Sequence, residues 1–295
     1  MEWERAKTYI LVFFLLLNAA LGILLALENR RYTMTGEQEA LIRTVLAQNN
    51  ITIYRMDMRD FPPMRPIEIT GFYYDEETIQ SLVHIFFPPT EDVERVDTGR
   101  EGHHLFLYGD SRLEIANGFI EYRNPHGLPQ LGGASLLLQP PAEVTRDSAR
   151  RQANQFINTH FPDYVYDADF EERGNWRVIY RQKYNGLLIH SNFIEILVAP
   201  VGIQQVEMQF GAVRGPIGSP LMIFSPDEAL LAFTQRVRHI TQEEPMTITR
   251  MDLVYFQEYI SDQEGPYHAE PFYRIFTAGN EAVPFLVNAF TNVVD

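Results

Sequence analysis

No cysteine occurs anywhere in the 295 residues, which removes disulfide frameworks, thiolate metal sites, thiol nucleophiles and redox motifs together. Stability has to come from packing. Basic charge is scarce: 24 Lys and Arg stand against 39 Asp and Glu, a formal net charge of −15. Such a surface repels phosphate backbones, so nucleic acid is not an expected partner. Lysine is almost missing, with Lys7 and Lys183 the only two and 22 basic residues left as arginine. Arginine stays charged far above the lysine pKa and pairs with carboxylates through two bonds. Adaptation of an exterior domain to alkaline or saline surroundings and GC-rich codon usage both account for this bias.

Reactive constellations are missing as well. There is no His-Glu-x-x-His, no Gly-x-Ser-x-Gly, no phosphate-binding P-loop and no EF-hand loop. His103 and His104 are adjacent, so on a strand they point to opposite faces and cannot share a metal ion. Asp167 and Asp169 share a strand face, a spacing that either holds a hard cation or, more often on an acidic protein, is simply solvated. Glu243 and Glu244, before Pro245, read as a loop. Neither enzymatic activity nor a cofactor is expected.

What the chain does have is one long apolar run. Tyr9 to Leu27 is nineteen residues without a charge, interrupted in polarity only by Asn18. As a helix it measures roughly 28 Å at ~1.5 Å per residue, about the hydrocarbon thickness of a bilayer. Ala20 and Gly22 offer small residues for cleavage, yet the apolar part of a signal peptide covers only about 7 to 15 residues. A retained single-pass anchor over 9–27 is therefore expected. Arg5 and Lys7 on one side match Arg30 and Arg31 on the other, so local charge does not orient it. All of the net negative charge lies beyond the run, and the simplest arrangement puts tail 1–8 in the cytoplasm and the remainder outside. Asn18, Gly22 and Ala26 recur every four residues along one side of this helix. Small residues permit close backbone approach in lipid, and an intramembrane amide gains about 0.6 to 2 kcal/mol by bonding across helices. The face Asn18, Gly22, Ala26 is thus a candidate contact for a partner helix; the plainer alternative is that Asn18 bonds its own backbone.

Beyond the anchor, Thr35 and Gln38 form a capping-box pattern ahead of an apolar stripe, Leu41, Ile42, Val45 and Leu46. A second helix is expected from Asp75 to Ile85. Hairpin turns are expected at Gly109-Asp110 and Asn117-Gly118. Residues 124–141 hold four Pro and three Gly and read as a linker between domains 28–123 and 142–295. After it, a helix followed by strands occurs twice. The first helix buries Ala149, Ala153, Phe156 and Ile157 and leads to strands that include an Asn185-Gly186 turn and an alternating Val206, Met208, Phe210 face. The second opens on Ser225-Pro226-Asp227-Glu228, an N-cap, a first-position proline and an acidic third position, and buries Ala229, Phe233, Val237 and Ile240. The fold class is α+β, with an N-terminal transmembrane helix and two domains of antiparallel sheet plus helix.

The opening Met1-Glu2-Trp3-Glu4-Arg5-Ala6-Lys7-Thr8, running into VFFLLLN, resembles the start of YycI regulatory proteins. Tyr180, Gln182, Tyr184-Asn185-Gly186 and Asn192-Phe193-Ile194 extend the likeness loosely into the second half. The helix-then-strands unit also resembles PepSY-type modules, to which YycI and its sister YycH are similar. The resemblance implies a regulator that sits in the cell membrane beside a YycG (WalK)-like sensor histidine kinase and a YycH-like partner, and modulates cell-wall metabolism through membrane-helix contacts. It supplies no catalytic residues. A second function class is an extracytoplasmic PepSY-like binding module that captures a ligand or restrains a peptidase.

Overall fold

The computed structural model describes residues 2–56, 58–71, 74–87, 92–116, 118–128, 143–241, 244–257 and 266–294, without the side chains of 2, 4–6, 23–30 and 281. Five helices are present among these: α1 (Glu2–Arg30), α2 (Gly36–Gln48), α3 (Glu76–Phe86), α4 (Arg146–His160) and α5 (Pro226–Thr241). Their starts follow from local chemistry. The Thr35 hydroxyl accepts from the Gln38 N–H while the Gln38 side chain accepts from the Thr35 N–H at 2.8 Å, closing the anticipated capping box. Asp75 caps α3 through the Thr78 N–H at 2.8 Å. Glu228 reaches back to the Ser225 N–H at 2.7 Å at the start of α5.

Among the described residues fourteen strands form one hydrogen-bonded sheet: β1 (Ile51–Ile53), β2 (Ile67–Gly71), β3 (Glu94–Val96), β4 (His104–Tyr108), β5 (Ser111–Ala116), β6 (Phe119–Arg123), β7 (Tyr164–Glu172), β8 (Asn175–Tyr184), β9 (Leu187–Ala199), β10 (Gly202–Gln209), β11 (Gly211–Pro216), β12 (Met246–Phe256), β13 (Pro266–Thr277) and β14 (Asn280–Asn288). Most pairings are antiparallel, as expected. The Asn185-Gly186 turn joins β8 to β9 with both residues at positive φ, 47° and 90°, the backbone that a two-residue primed hairpin requires. Gly109 turns β4 into β5 as anticipated; Asn117 of the other hairpin lies outside the described residues.

Long strands change partners along their length. The first residues of β9 pair with β12 and its later ones with β10, while β13 passes from β2 to β14. The sheet accordingly has two halves, joined between β12 and β9 by two parallel residue pairs, Val254 with Leu188 and Tyr255 with Ile189. Each half has its own core. One packs α2 and α5 on β1 and β12–β14 through Ile42, Leu46, Phe233, Val237, Ile248 and Ile275. The other packs α3 and α4 on β5, β6 and β8–β10 through Ile79, Phe86, Phe156, Leu113, Ile196 and Val206.

This partition differs from the sequence boundary. Segment 28–123 divides between the cores, its α2 and β1 joining the α5 half and its α3 and β4–β6 joining the α4 half. The two helix-then-strands units supply one half each. Residues 124–128, expected to open the linker, run beside β10, with the Leu128 N–H on the Ile203 carbonyl at 2.8 Å; 129–142 lie outside the described residues. Two expected core positions are exposed instead. Ile240 is turned outward because the row Ala229, Phe233, Val237 continues four residues on, at Thr241, which is buried. Leu41 likewise faces out at 67% exposure while Ile42 and Leu46 carry the contact of α2.

Candidate functional site

On α1, Asn18 and Gly22 lie one above the other and are exposed. A Cβ built on Gly22 would meet nothing within 4 Å. The side chain of Ala26, third member of the expected face, lies outside the described residues. Among the described residues no helix is long and apolar enough to cross a membrane, the described side chains of the apolar run ending at Gly22. Those from Tyr9 to Gly22 are all exposed.

A second site emerges where the two halves of the sheet meet. β7 carries a bulge at Asp167, between the pairs Tyr166 with Tyr180 and Ala168 with Ile179, so Asp167 has no residue opposite it. Its buried carboxylate receives three arginines from three strands. Arg274 of β13 binds both oxygens, at 2.7 and 2.9 Å. Arg181 of β8 donates at 2.7 Å and Arg250 of β12 at 3.3 Å. Arg274 is fully buried and continues to Asp252 at 2.7 and 2.8 Å, while its Nη1 meets the His190 Nδ1 at 3.2 Å. Burial alone would push the Asp167 carboxyl up; the bonds and charges of Arg274, with Arg181 and Arg250, outweigh it and hold the group well below the usual carboxylate range. Burial, with the neighbouring Arg181 and Arg274, keeps His190 far below the ordinary histidine value and so uncharged.

Asp169, two residues on, is enclosed separately. Arg146 and Arg150 of α4 both donate to it, Arg146 Nε at 2.8 Å. Arg150 also bonds the Tyr166 hydroxyl. The pair Asp167 and Asp169, anticipated as cation ligands or solvated acids, is neither: guanidinium groups occupy the positions a cation would take. Among the described residues no group of three or more His, Asp or Glu is arranged to hold a metal. His103 and His104 part as their spacing requires, His103 to Glu114 and His104 to Arg95, each at 2.8 Å.

Sequence reasoning missed the arginines. A signal existed in Phe272-Tyr273-Arg274-Ile275-Phe276, a charge inside an otherwise apolar strand, because a charge so placed must be paired when buried. Its partner more than a hundred residues away has no local signature.

Elsewhere on the α4 half, Glu114, Glu121, Glu207 and Glu195 stand directly opposite one another across β5, β6, β10 and β9. Like charges so placed repel. Arg112, Arg123 and Arg177 interleave with them. Burial nevertheless pushes the Glu195 carboxyl above its ordinary value of 4.5; Arg177 and Arg181 oppose the shift and Glu207 adds to it. A carboxyl raised in the folded state contributes stability fully below its unfolded-state pKa and loses that contribution as pH rises through the folded-state value. In urea titrations Glu195→Gln should therefore gain on the wild type as pH rises from the ordinary carboxylate value of 4.5 through the raised folded-state value. A stability difference that does not change with pH contradicts this.

No family model matches the chain, and no curated protein does. Solved structures do. An uncharacterized protein from Eubacterium rectale ATCC 33656 superposes with a TM-score of 0.55 at 10% identity over 83% of this chain and 90% of its own. The Bacillus megaterium YpeB C-terminal domain gives a TM-score of 0.43 at 8% identity, over 76% and 97%. The first likeness shows a shared mixed α+β fold and no more.

Proposed function

We propose that the chain is a membrane-anchored, non-enzymatic regulator of the YycI type, which modulates a YycG (WalK)-like sensor histidine kinase through contacts between membrane helices, together with a YycH-like partner. The observation that carries this reading is α1. Its side chains from Tyr9 to Gly22 are apolar nearly all round and uncovered by the rest of the protein, and a helix of that kind is stable only in lipid or against other apolar helices. Tail 1–8 then lies in the cytoplasm and the α+β domain outside. The Asn18, Gly22, Ala26 face supplies the close approach. Any effect on the kinase requires that this face bind its two signalling states with different affinity.

Replacing 9–27 by an unrelated apolar segment of equal length tests the reading in cells. Expected is loss of kinase modulation and of co-purification with the kinase, with membrane location kept. Modulation that survives the exchange overturns it. The alternative of an extracytoplasmic PepSY-like binding module is favoured by one feature, the arginine-lined cleft beside Asp167 and Asp169.

A further inference from the structure

An open cleft of about 260 Å³ lies between α4, β7 and the β12–β13 pair, lined by Arg146, Tyr166, Asp169, Thr249, Arg250 and Phe276 among others. Its charge is unlike that of the rest of the protein. In the ion-paired network around it, five guanidinium groups (Arg146, Arg150, Arg181, Arg250, Arg274) face three carboxylates (Asp167, Asp169, Asp252), an excess of two positive charges within a chain of net −15. Glu195 also attracts Arg181 but is itself paired with Arg177.

The excess is not spread evenly. Arg181 and Arg274 are buried against Asp167, whereas Arg146 and Arg250, the cleft's own arginines, have side chains 55% and 38% exposed. Arg146 is the first residue of α4, where the helix's partial positive charge adds to its own. Asp147 in the same turn is exposed and does not line the cleft.

Both guanidinium planes are held in advance. That of Arg250 lies 3.9 Å from the centre of the Phe276 ring, and that of Arg146 lies 5.9 Å from the Trp176 ring. The Nε of Arg250 is shielded from water yet makes no hydrogen bond, its ion-pair partner Asp252 Oδ2 being 3.4 Å away. A buried donor left in that state is destabilising until it finds an acceptor. Fixed guanidinium forks beside an aromatic floor suit an oxyanion carried on an apolar body. The volume, below the roughly 300 Å³ at which drug-sized sites begin, limits that body to a ring or a short chain.

We propose that this cleft binds a small organic anion, with its carboxylate or phosphate group held between Arg146 and Arg250 and its apolar part against Phe276 and Tyr166. Because Arg146 belongs to the α4 half and Arg250 to the α5 half, the ligand ties the two together across the seam. The proposal stands whether or not α1 contacts a kinase.

The test is titration of the full chain in detergent, carrying Trp3→Phe so that Trp176 is the only fluorophore of its kind, with benzoate, phenyl phosphate and uncharged benzamide at constant ionic strength. Expected is a saturable change in Trp176 emission with benzoate, phenyl phosphate or both, none with benzamide, and an affinity about tenfold weaker in Arg146→Gln and in Arg250→Gln. The stronger of the two anions identifies the head group. Arg146→Gln alters an exposed side chain and keeps the test valid if Arg250→Gln fails to fold. No saturable response to either anion, an equal response to benzamide, or unchanged affinity in Arg146→Gln overturns the proposal.

Discussion

Asp167→Ala is expected to lower the unfolding free energy by about 3–5 kcal/mol, since it removes one partner of a buried ionic cluster and leaves the others charged. Arg274 is fully buried and would keep Asp252 as its one bonded carboxylate, beside His190; Arg181, also buried, would keep the His190 carbonyl but no carboxylate bonded to it. Asp252→Ala should cost far less, because Asp252 is partly exposed and Arg274 then retains both Asp167 bonds. The cost of Asp167→Ala also depends on pH. A carboxyl held low in the folded state contributes stability above its unfolded-state pKa and loses it as pH falls through the depressed value, so the penalty should be complete at neutral pH and shrink in strong acid. Urea denaturation of the two variants at several pH values measures all of this. Equal penalties for Asp167→Ala and Asp252→Ala would refute the central role of Asp167.

Gly127→Ala is the other substitution with a large expected effect. Gly127 has φ +79°, in the left-handed region, and an added Cβ would lie 2.9 Å from the carbonyl carbon of Val201 and closer still to its oxygen. Backbone cannot rotate aside as a side chain can. The left-handed conformation costs roughly 1–2 kcal/mol in a residue with a Cβ, and the collision about 1–3 kcal/mol more. Gly174 provides the control. Its φ is +80°, but nothing lies within 4 Å of an added Cβ, so Gly174→Ala should show only the conformational part, roughly 1–2 kcal/mol. Similar losses in the two variants would mean that segment 124–128 shifts readily and is not held against β10 as described.

Legibility in the sequence followed the range of the physics. Thr35 with Gln38, Asp75, and Ser225 with Glu228 act within one turn, and each helix start could be read from its own few residues. The alternation of Val206 and Met208 with Gln205 and Glu207 was legible for the same reason. Partner exchange was not. Nothing in Ile51–Ile53 indicates parallel pairing with Met246–Ile248, and a proline- and glycine-rich stretch reads as a boundary even where strands on its two sides, β6 and β10, bond to each other. The arginine network was hidden more deeply, because Asp167 draws its partners from three strands. Bulging at Asp167 removed it from the simple alternation on which the cation-site reading relied. The lysine-poor composition proved informative in one respect: the positions where two-pronged pairing is seen, such as Arg274 with both oxygens of Asp167, are ones a lysine could not fill.

The pairing of β1 with β12 reaches beyond architecture, into how the molecule comes to exist. Asn50 bonds the Thr241 carbonyl across 191 positions of sequence, and α2 packs on α5 and on β1, itself paired with β12. During synthesis α2 and β1 therefore emerge long before the residues that shield them, whereas the α4 half can close around β4–β10 in the meantime. The α5 half is therefore completed last, and for that interval its exposed Ile42, Leu46 and Ile51 are the surface on which a chaperone or a wrong neighbour would act.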